Sequence, residues 1–125
     1  RRNRERFGAA VLLFVGDLAS AVAPPWDLVV ANLPYLPAAD IGRLPIEVHH
    51  DPPAALDGGV DGLDLVRHLL SDLLRLLRPC GGAVLEIGEG QAETVADLAT
   101  AAGLGVARRV RDVSGVERVM VVQPR

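Results

Sequence analysis

Val29-Val30-Ala31-Asn32-Leu33-Pro34-Tyr35 is a short apolar strand that runs directly into an amide, a proline and an aromatic ring. In an open α/β sheet, ligands bind outside the carboxyl ends of the strands, so polar residues at such an end are placed for chemistry. Asn32 to Tyr35 therefore read as an active-site loop. Pro34 has no N–H and a fixed φ, and it drives Leu33 towards extended backbone, which holds the loop's carbonyls in a narrow range of directions. Free carbonyls on a stiff loop are acceptors, and the Asn32 side chain adds a further acceptor and a donor group. Such a corner can hold an –NH2 group by both of its hydrogens, with Tyr35 as a flat wall. The arrangement suits a planar nitrogen, amide or exocyclic amine, which attacks an electrophile only when it is oriented and its developing positive charge is stabilised.

The tetrapeptide Asn32-Leu33-Pro34-Tyr35 resembles the Asn-Pro-Pro-Tyr signature of the class I S-adenosylmethionine-dependent methyltransferases that modify planar nitrogens. Leu33 departs from the commonest form. The variant with Leu is also typical of the rRNA adenine dimethyltransferases, so at this point a protein amide and a nucleic acid both stay open as substrates.

Composition narrows the choice. A chain of 125 residues, 50% hydrophobic and 3% aromatic, fits one α/β domain rich in Ala, Leu and Val. Its formal net charge of -3 lacks the basic footprint expected of a nucleic-acid binder. A single cysteine, Cys80, excludes an internal disulfide, and no apolar run approaches the length of a membrane span. No signal peptide precedes the first element, so the expected setting is reducing and cytoplasmic, with no membrane partner.

Taken in order, Arg1 to Phe7 followed by Gly8 reads as the last turns of a helix, cationic where the macrodipole favours cations. Ala10 to Val15 is an apolar run of strand length ending in Gly16-Asp17-Leu18, which puts Asp17 at a strand's carboxyl end. Ala19 to Pro25 is a loop, and Trp26-Asp27 starts the strand Leu28 to Ala31. Leu36 to Gly62 is rich in Pro, Gly, Asp and His and is expected to be irregular beyond a helical turn near Ala38 to Arg43, as functional lids are. Asp61 or Gly62 caps a helix from Leu63 to Leu77, whose buried face is Leu63, Val66, Leu69, Leu70, Leu73, Leu74 and Leu77. Pro79 and Gly81-Gly82 end it. Ala83 to Ile87 is a buried strand, Gln91 to Ala102 a helix closed by Gly103, and Val106 to Arg111 a strand. The turn Asp112 to Gly115 joins the latter to a last strand, Arg118 to Gln123, as an antiparallel hairpin. Strands alternating with helices and ending in such a hairpin predict a mostly parallel sheet wrapped by helices.

The later segments extend the resemblance over essentially the whole chain, to the protein N5-glutamine methyltransferases that act on peptide-chain release factors. The matching residues are Asp51-Pro52, Ala55-Leu56-Asp57-Gly58-Gly59-Val60-Asp61-Gly62-Leu63, Gly81-Gly82, Leu85-Glu86-Ile87-Gly88 with Gln91, and Asp112-Val113-Ser114-Gly115-Val116-Glu117-Arg118. The adenine dimethyltransferases do not share them. The resemblance implies a Rossmann-like class I methyltransferase sheet with a C-terminal antiparallel hairpin, and S-adenosyl-L-methionine as cofactor. It implies that Asn32 is the catalytic residue, holding the glutamine amide and bordering the cofactor. The carbonyl of Leu33 would accept from the same amide, and Pro34 and Tyr35 would shape the pocket. Asp17 and Leu18 match the positions that contact the cofactor's adenine. The substrate would be a release factor, and N6-adenine methylation of nucleic acid is the alternative.

One departure is large. Family members open the domain with a glycine-rich turn and an acidic residue after the second strand, and residues 1 to 125 supply neither; Gly88-Glu89-Gly90 sits too late. In the family's strand order, 3-2-1-4-5-7-6, Ala10 to Val15 would be the third strand, parted from Leu28 to Asn32 by two strands that are not here. The expectation is a partial catalytic domain over 1 to 125, lacking its N-terminal cofactor-binding portion and silent on its own, or else an interaction module. If it folds alone, Ala10 to Val15 should pair with Leu28 to Asn32 or pack elsewhere. The remaining polar residues have plainer readings. His49-His50-Asp51 is a solvated loop rather than a metal site, because adjacent histidines on extended chain point apart. Cys80 is a loop residue without a His partner, and Glu86 is a structural strand-end carboxylate rather than a base.

Overall fold

A computed structural model describes residues 2–125, with the side chain of His49 outside the description. Four strands form one sheet in the order β1 (Trp26–Asn32), β2 (Leu77–Glu86), β4 (Glu117–Pro124), β3 (Leu104–Arg111). β1 and β2 are parallel, whereas β2·β4 and β3·β4 are antiparallel. The order corresponds to the 4-5-7-6 end of the sheet that the resemblance implies. The expected C-terminal antiparallel hairpin is present; it inserts β4 between β2 and β3, so that in this chain the sheet is mixed, with one parallel pair, rather than mostly parallel.

The helices cover one face. α3 (Asp64–Leu76) packs on β2 and on α4 (Ala92–Ala101), and α4 packs on β3 and β4. Between them lies the core, in which Leu70, Leu73 and Leu76 of α3 and Val95 of α4 meet Ala83, Leu85, Met120 and Val122 of the sheet. Alternation along a strand decides which side chains reach it, since successive residues point to opposite faces. On β1, Val29 and Ala31 pack against the core while Leu28 and Val30 stay 57% and 71% exposed. On α3 the buried stripe includes Leu76 and leaves Leu74 exposed, which corrects the stripe expected from the sequence. Leu74 is one residue past Leu73, about 100° around the helix and off the sheet-facing side.

The start of α3 is held by Asp61, whose carboxylate accepts the Leu63 N–H at 3.1 Å. Leu63 itself occupies the capping position and makes no side-chain cap bond. The end of α3 differs from expectation more sharply. Leu77 turns directly into extended backbone and pairs with Trp26, and the register then jumps to Leu28↔Gly82. Pro79, Cys80 and Gly81 therefore form an irregularity within β2 rather than a separate turn. At Gly81 a Cβ would sit 2.9 Å from the Trp26 carbonyl oxygen, so only glycine lets β1 approach there.

The amino-terminal segment is the largest correction. α1 (Arg2–Phe7) ends at Gly8 in the left-handed conformation, as the sequence indicates, with Arg1 outside the described residues. Ala10 to Val15, however, forms no strand, and it neither pairs with β1 nor packs into the core. Leu12 is 78% and Val15 101% exposed. A strand is stabilised only through a neighbour that pairs its backbone and covers its apolar face. No described segment does either for this one. Asp17 consequently lies in a turn and not at a strand's end. The terminal hairpin is closed by Asp112, whose carboxylate accepts the N–H groups of Ser114 and Val116 at 2.8 and 3.1 Å.

Candidate active site

Parallel pairing brings the carboxyl ends of β1 and β2 together, with Asn32 in register opposite Glu86. Asn32 is the last residue of β1, is exposed, and has no hydrogen-bond partner for its carboxamide among the described residues. Beyond it Leu33 packs against the core, while Pro34 and Tyr35 are half-buried. The four residues form one wall of a cavity of about 360 Å³, closed on the other side by Leu44, Val48, Asp51, Ala55 and Leu56. The lining is therefore mostly apolar, with the Asn32 amide, the Tyr35 phenol and the Asp51 carboxylate as its polar side chains.

The irregular segment after Tyr35 is laced to the residues that precede α3. Leu36 donates its N–H to the Leu56 carbonyl at 3.2 Å and accepts from Gly58 at 2.9 Å, and Ala38 donates to the Gly59 carbonyl at 2.9 Å. A short helix, α2 (Ala38–Ile41), and single helical turns at Val48–His50 and Pro53–Ala55 are its regular pieces. The expectation of an irregular segment with a helical turn near residue 38 agrees with this.

Tyr35 is held at both ends. Its phenol donates to Glu86 Oε1 at 3.4 Å, and its carbonyl accepts from Gln91 Nε2 at 3.0 Å. Gln91 precedes α4, and its Oε1 accepts the Gly88 N–H at 2.7 Å. Glu86, expected as a structural strand-end carboxylate, is the acceptor for that phenol. Nothing in the sequence pattern assigns Gln91 a task, although a carboxamide just after the Gly88 strand end can donate and accept at once. Near the loop, the Arg67 guanidinium hydrogen-bonds Asp61 and holds its carboxyl below the ordinary carboxylate range. In the hairpin turn, the N–H of Val116 does the same for Asp112, helped by Ser114 and Arg118.

Of the residues singled out from the sequence, the structure groups Asn32, Leu33, Pro34 and Tyr35 around one cavity. Leu18, at φ 46°, lines a separate apolar cavity of about 310 Å³ that Leu33 also borders, together with Ala19 and Val22. Asp17 is exposed and lines neither. Among the described residues, no three of His, Cys, Asp and Glu converge as metal ligands, and Cys80 is an exposed free thiol. No described helix is long and apolar enough to cross a membrane.

Comparison with known proteins agrees with this architecture. No family model matches the chain. It is 48% identical to a release factor glutamine methyltransferase from Rhodospirillum rubrum over 99% of its own length and 39% of that protein. It is 42% identical to the release factor glutamine methyltransferase of Geobacter sulfurreducens, over 96% of this chain and 43% of that one. The crystal structure of a release factor-specific protein-(glutamine-N5) methyltransferase from Alicyclobacillus acidocaldarius superposes with a TM-score of 0.51 at 28% identity. That match covers 81% of this chain and 50% of the other. The chain spans about two fifths of the length of the curated relatives it matches.

Proposed function

We propose that residues 1–125 form part of the catalytic domain of an S-adenosyl-L-methionine-dependent methyltransferase, one that methylates the side-chain amide nitrogen of a glutamine in a peptide-chain release factor. The similarity to proteins of that name supports the substrate. The observation that carries the chemistry is the Asn32 carboxamide at the end of β1, without a hydrogen-bond partner among the described residues, beside a proline-stiffened backbone and a cavity. The cofactor, when bound, supplies an electrophilic methyl group on a sulfonium.

Of the residues that would border such a cofactor, Leu18 with Ala19 and Val22 forms an apolar wall of the kind a flat heterocycle takes, whereas Asn32 lines a different cavity and Asp17 is exposed outside both. The three do not converge on one pocket in this chain, so the fit is confined to that apolar wall.

Towards the substrate, the Asn32 oxygen accepts one N–H of the glutamine amide and the Leu33 carbonyl accepts the other. Both acceptors gain strength as positive charge develops on the nitrogen, which lowers the barrier in addition to fixing direction. Leu33 retains the carbonyl that a proline would present there, and Pro34 still restrains it. Tyr35 forms the wall against which the amide plane rests. Asn32 is the catalytic residue in this account, and no covalent intermediate with the protein forms. A solution assay tests it: the full-length protein incubated with isotope-labelled S-adenosyl-L-methionine should label a release factor on a glutamine and leave RNA unlabelled. Label on RNA adenine instead would overturn the reading.

A further inference from the structure

We infer that Gln91 is a positioning residue for this site: its side-chain amide sets the height of the Tyr35 carbonyl and hence the direction of the acceptor on Leu33. The inference rests on the proposed methyl transfer for its functional consequence. Its geometry does not. Gln91 lies outside the Asn32 cavity. It is the point at which three chain segments are tied by one side chain. Nε2 donates to Tyr35 O at 3.0 Å and lies 3.5 Å from Gly62 O, while Oε1 accepts from Gly88 N at 2.7 Å. The active-site loop, the lead into α3 and the turn between β2 and α4 are thus referenced to each other through a single carboxamide.

Two glycines make room for it. A Cβ at Gly88 would lie 2.8 Å from Gln91 Oε1 and 3.2 Å from the Tyr35 ring. A Cβ at Gly62 would overlap the Tyr35 carbonyl oxygen and lie 2.9 Å from Gln91 Nε2. Backbone has been cleared on both sides of the contact, at Gly62 with φ 77°. Holding the Tyr35 carbonyl restrains the Leu33 carbonyl as well, because the locked Pro34 φ leaves one torsion fewer between them to absorb a shift. Small displacements are costly for a reaction that relies on orientation, where about 1 Å can cost on the order of 100-fold in rate.

The test replaces Gln91 by Glu in the full-length protein, alongside Gln91→Met. Glutamate keeps the acceptor for Gly88 N–H, loses the donor to Tyr35 O and Gly62 O, and sets a negative charge against both carbonyls. Hydrogen exchange of the Leu36 and Ala38 amides, which needs no activity, should quicken at least tenfold in both variants, with the β3–β4 hairpin unchanged. With a release factor as substrate, kcat should fall about 10- to 100-fold while KM for the methyl donor stays within about threefold. Unchanged exchange at Leu36 and Ala38 in Gln91→Glu would overturn the inference whatever the substrate proves to be. Faster exchange with undiminished kcat would overturn its functional half. Absence of methyl transfer by the unsubstituted protein would instead count against the proposed function and leave the exchange result to decide for Gln91.

Discussion

Gly62→Ala and Gly90→Ala form a matched pair, because both glycines are left-handed, at φ 77° and 78°, and only one is crowded. Around Gly90 a Cβ meets nothing within 4 Å. Alanine there carries the left-handed backbone cost of about 1–2 kcal/mol, partly offset by about 0.4–1 kcal/mol from a less flexible unfolded chain. The expected loss is therefore on the order of 1 kcal/mol. At Gly62 the same sum applies, and the new Cβ also collides with the Tyr35 carbonyl oxygen. Both colliding groups belong to backbone or its first carbon, so no side-chain rotation relieves them. Tyr35 O must move away from Gln91 Nε2, and a broken hydrogen bond in a half-buried site adds about 1–3 kcal/mol. Urea denaturation of the full-length protein should place Gly62→Ala about 1–3 kcal/mol below Gly90→Ala, with equal m-values. Equal losses at the two positions would refute the close approach of Gly62 to Tyr35, and with it the account of how the loop is held.

Other perturbations reach other parts of the fold. Leu73 is fully buried between α3 and the sheet, so Leu73→Ala should cost about 2–5 kcal/mol in the same denaturation assay, whereas exposed Leu74→Ala should cost under about 1 kcal/mol. Asp112 has its carboxyl pKa lowered, first by the Val116 N–H and then by Ser114 and Arg118. A carboxylate with a depressed folded pKa stabilises the fold at pH values above its unfolded pKa, and that contribution disappears as pH falls through the lower folded value. Asp112→Asn should accordingly flatten the loss of thermal stability below about pH 4, as followed by circular dichroism melts across an acid series.

Much of this fold is legible in the sequence because its signals are local. The 3.6-residue spacing from Leu63 to Leu73 locates α3, and Gly103 closes the helix before β3. Asp112 to Gly115 announces the hairpin, and the resemblance supplies the strand order. The misreadings share a cause, which is that a partner distant in sequence decides the outcome. Pro79 and Gly81-Gly82 look like a break until Trp26 is seen to pair with Leu77 on the near side and Leu28 with Gly82 on the far side. Ala10 to Val15 has strand composition and no described neighbour, and composition alone does not make a strand. That Asn32 to Tyr35 leave the end of a strand and line a cavity is legible from Pro34 and the apolar run before it. The task of Gln91 is not, since it depends on carbonyls 56 and 29 residues away.

The central claim is that the Asn32 carboxamide grips the substrate amide during methyl transfer. Single-turnover methylation of a release factor by the full-length protein, compared with its Asn32→Ala variant, measures that directly. Loss of an aligned polar group at a site of developing charge predicts a rate about 100- to 1,000-fold lower, with affinity for S-adenosyl-L-methionine reduced only a few-fold. A variant that transfers methyl at the unsubstituted rate would contradict the account.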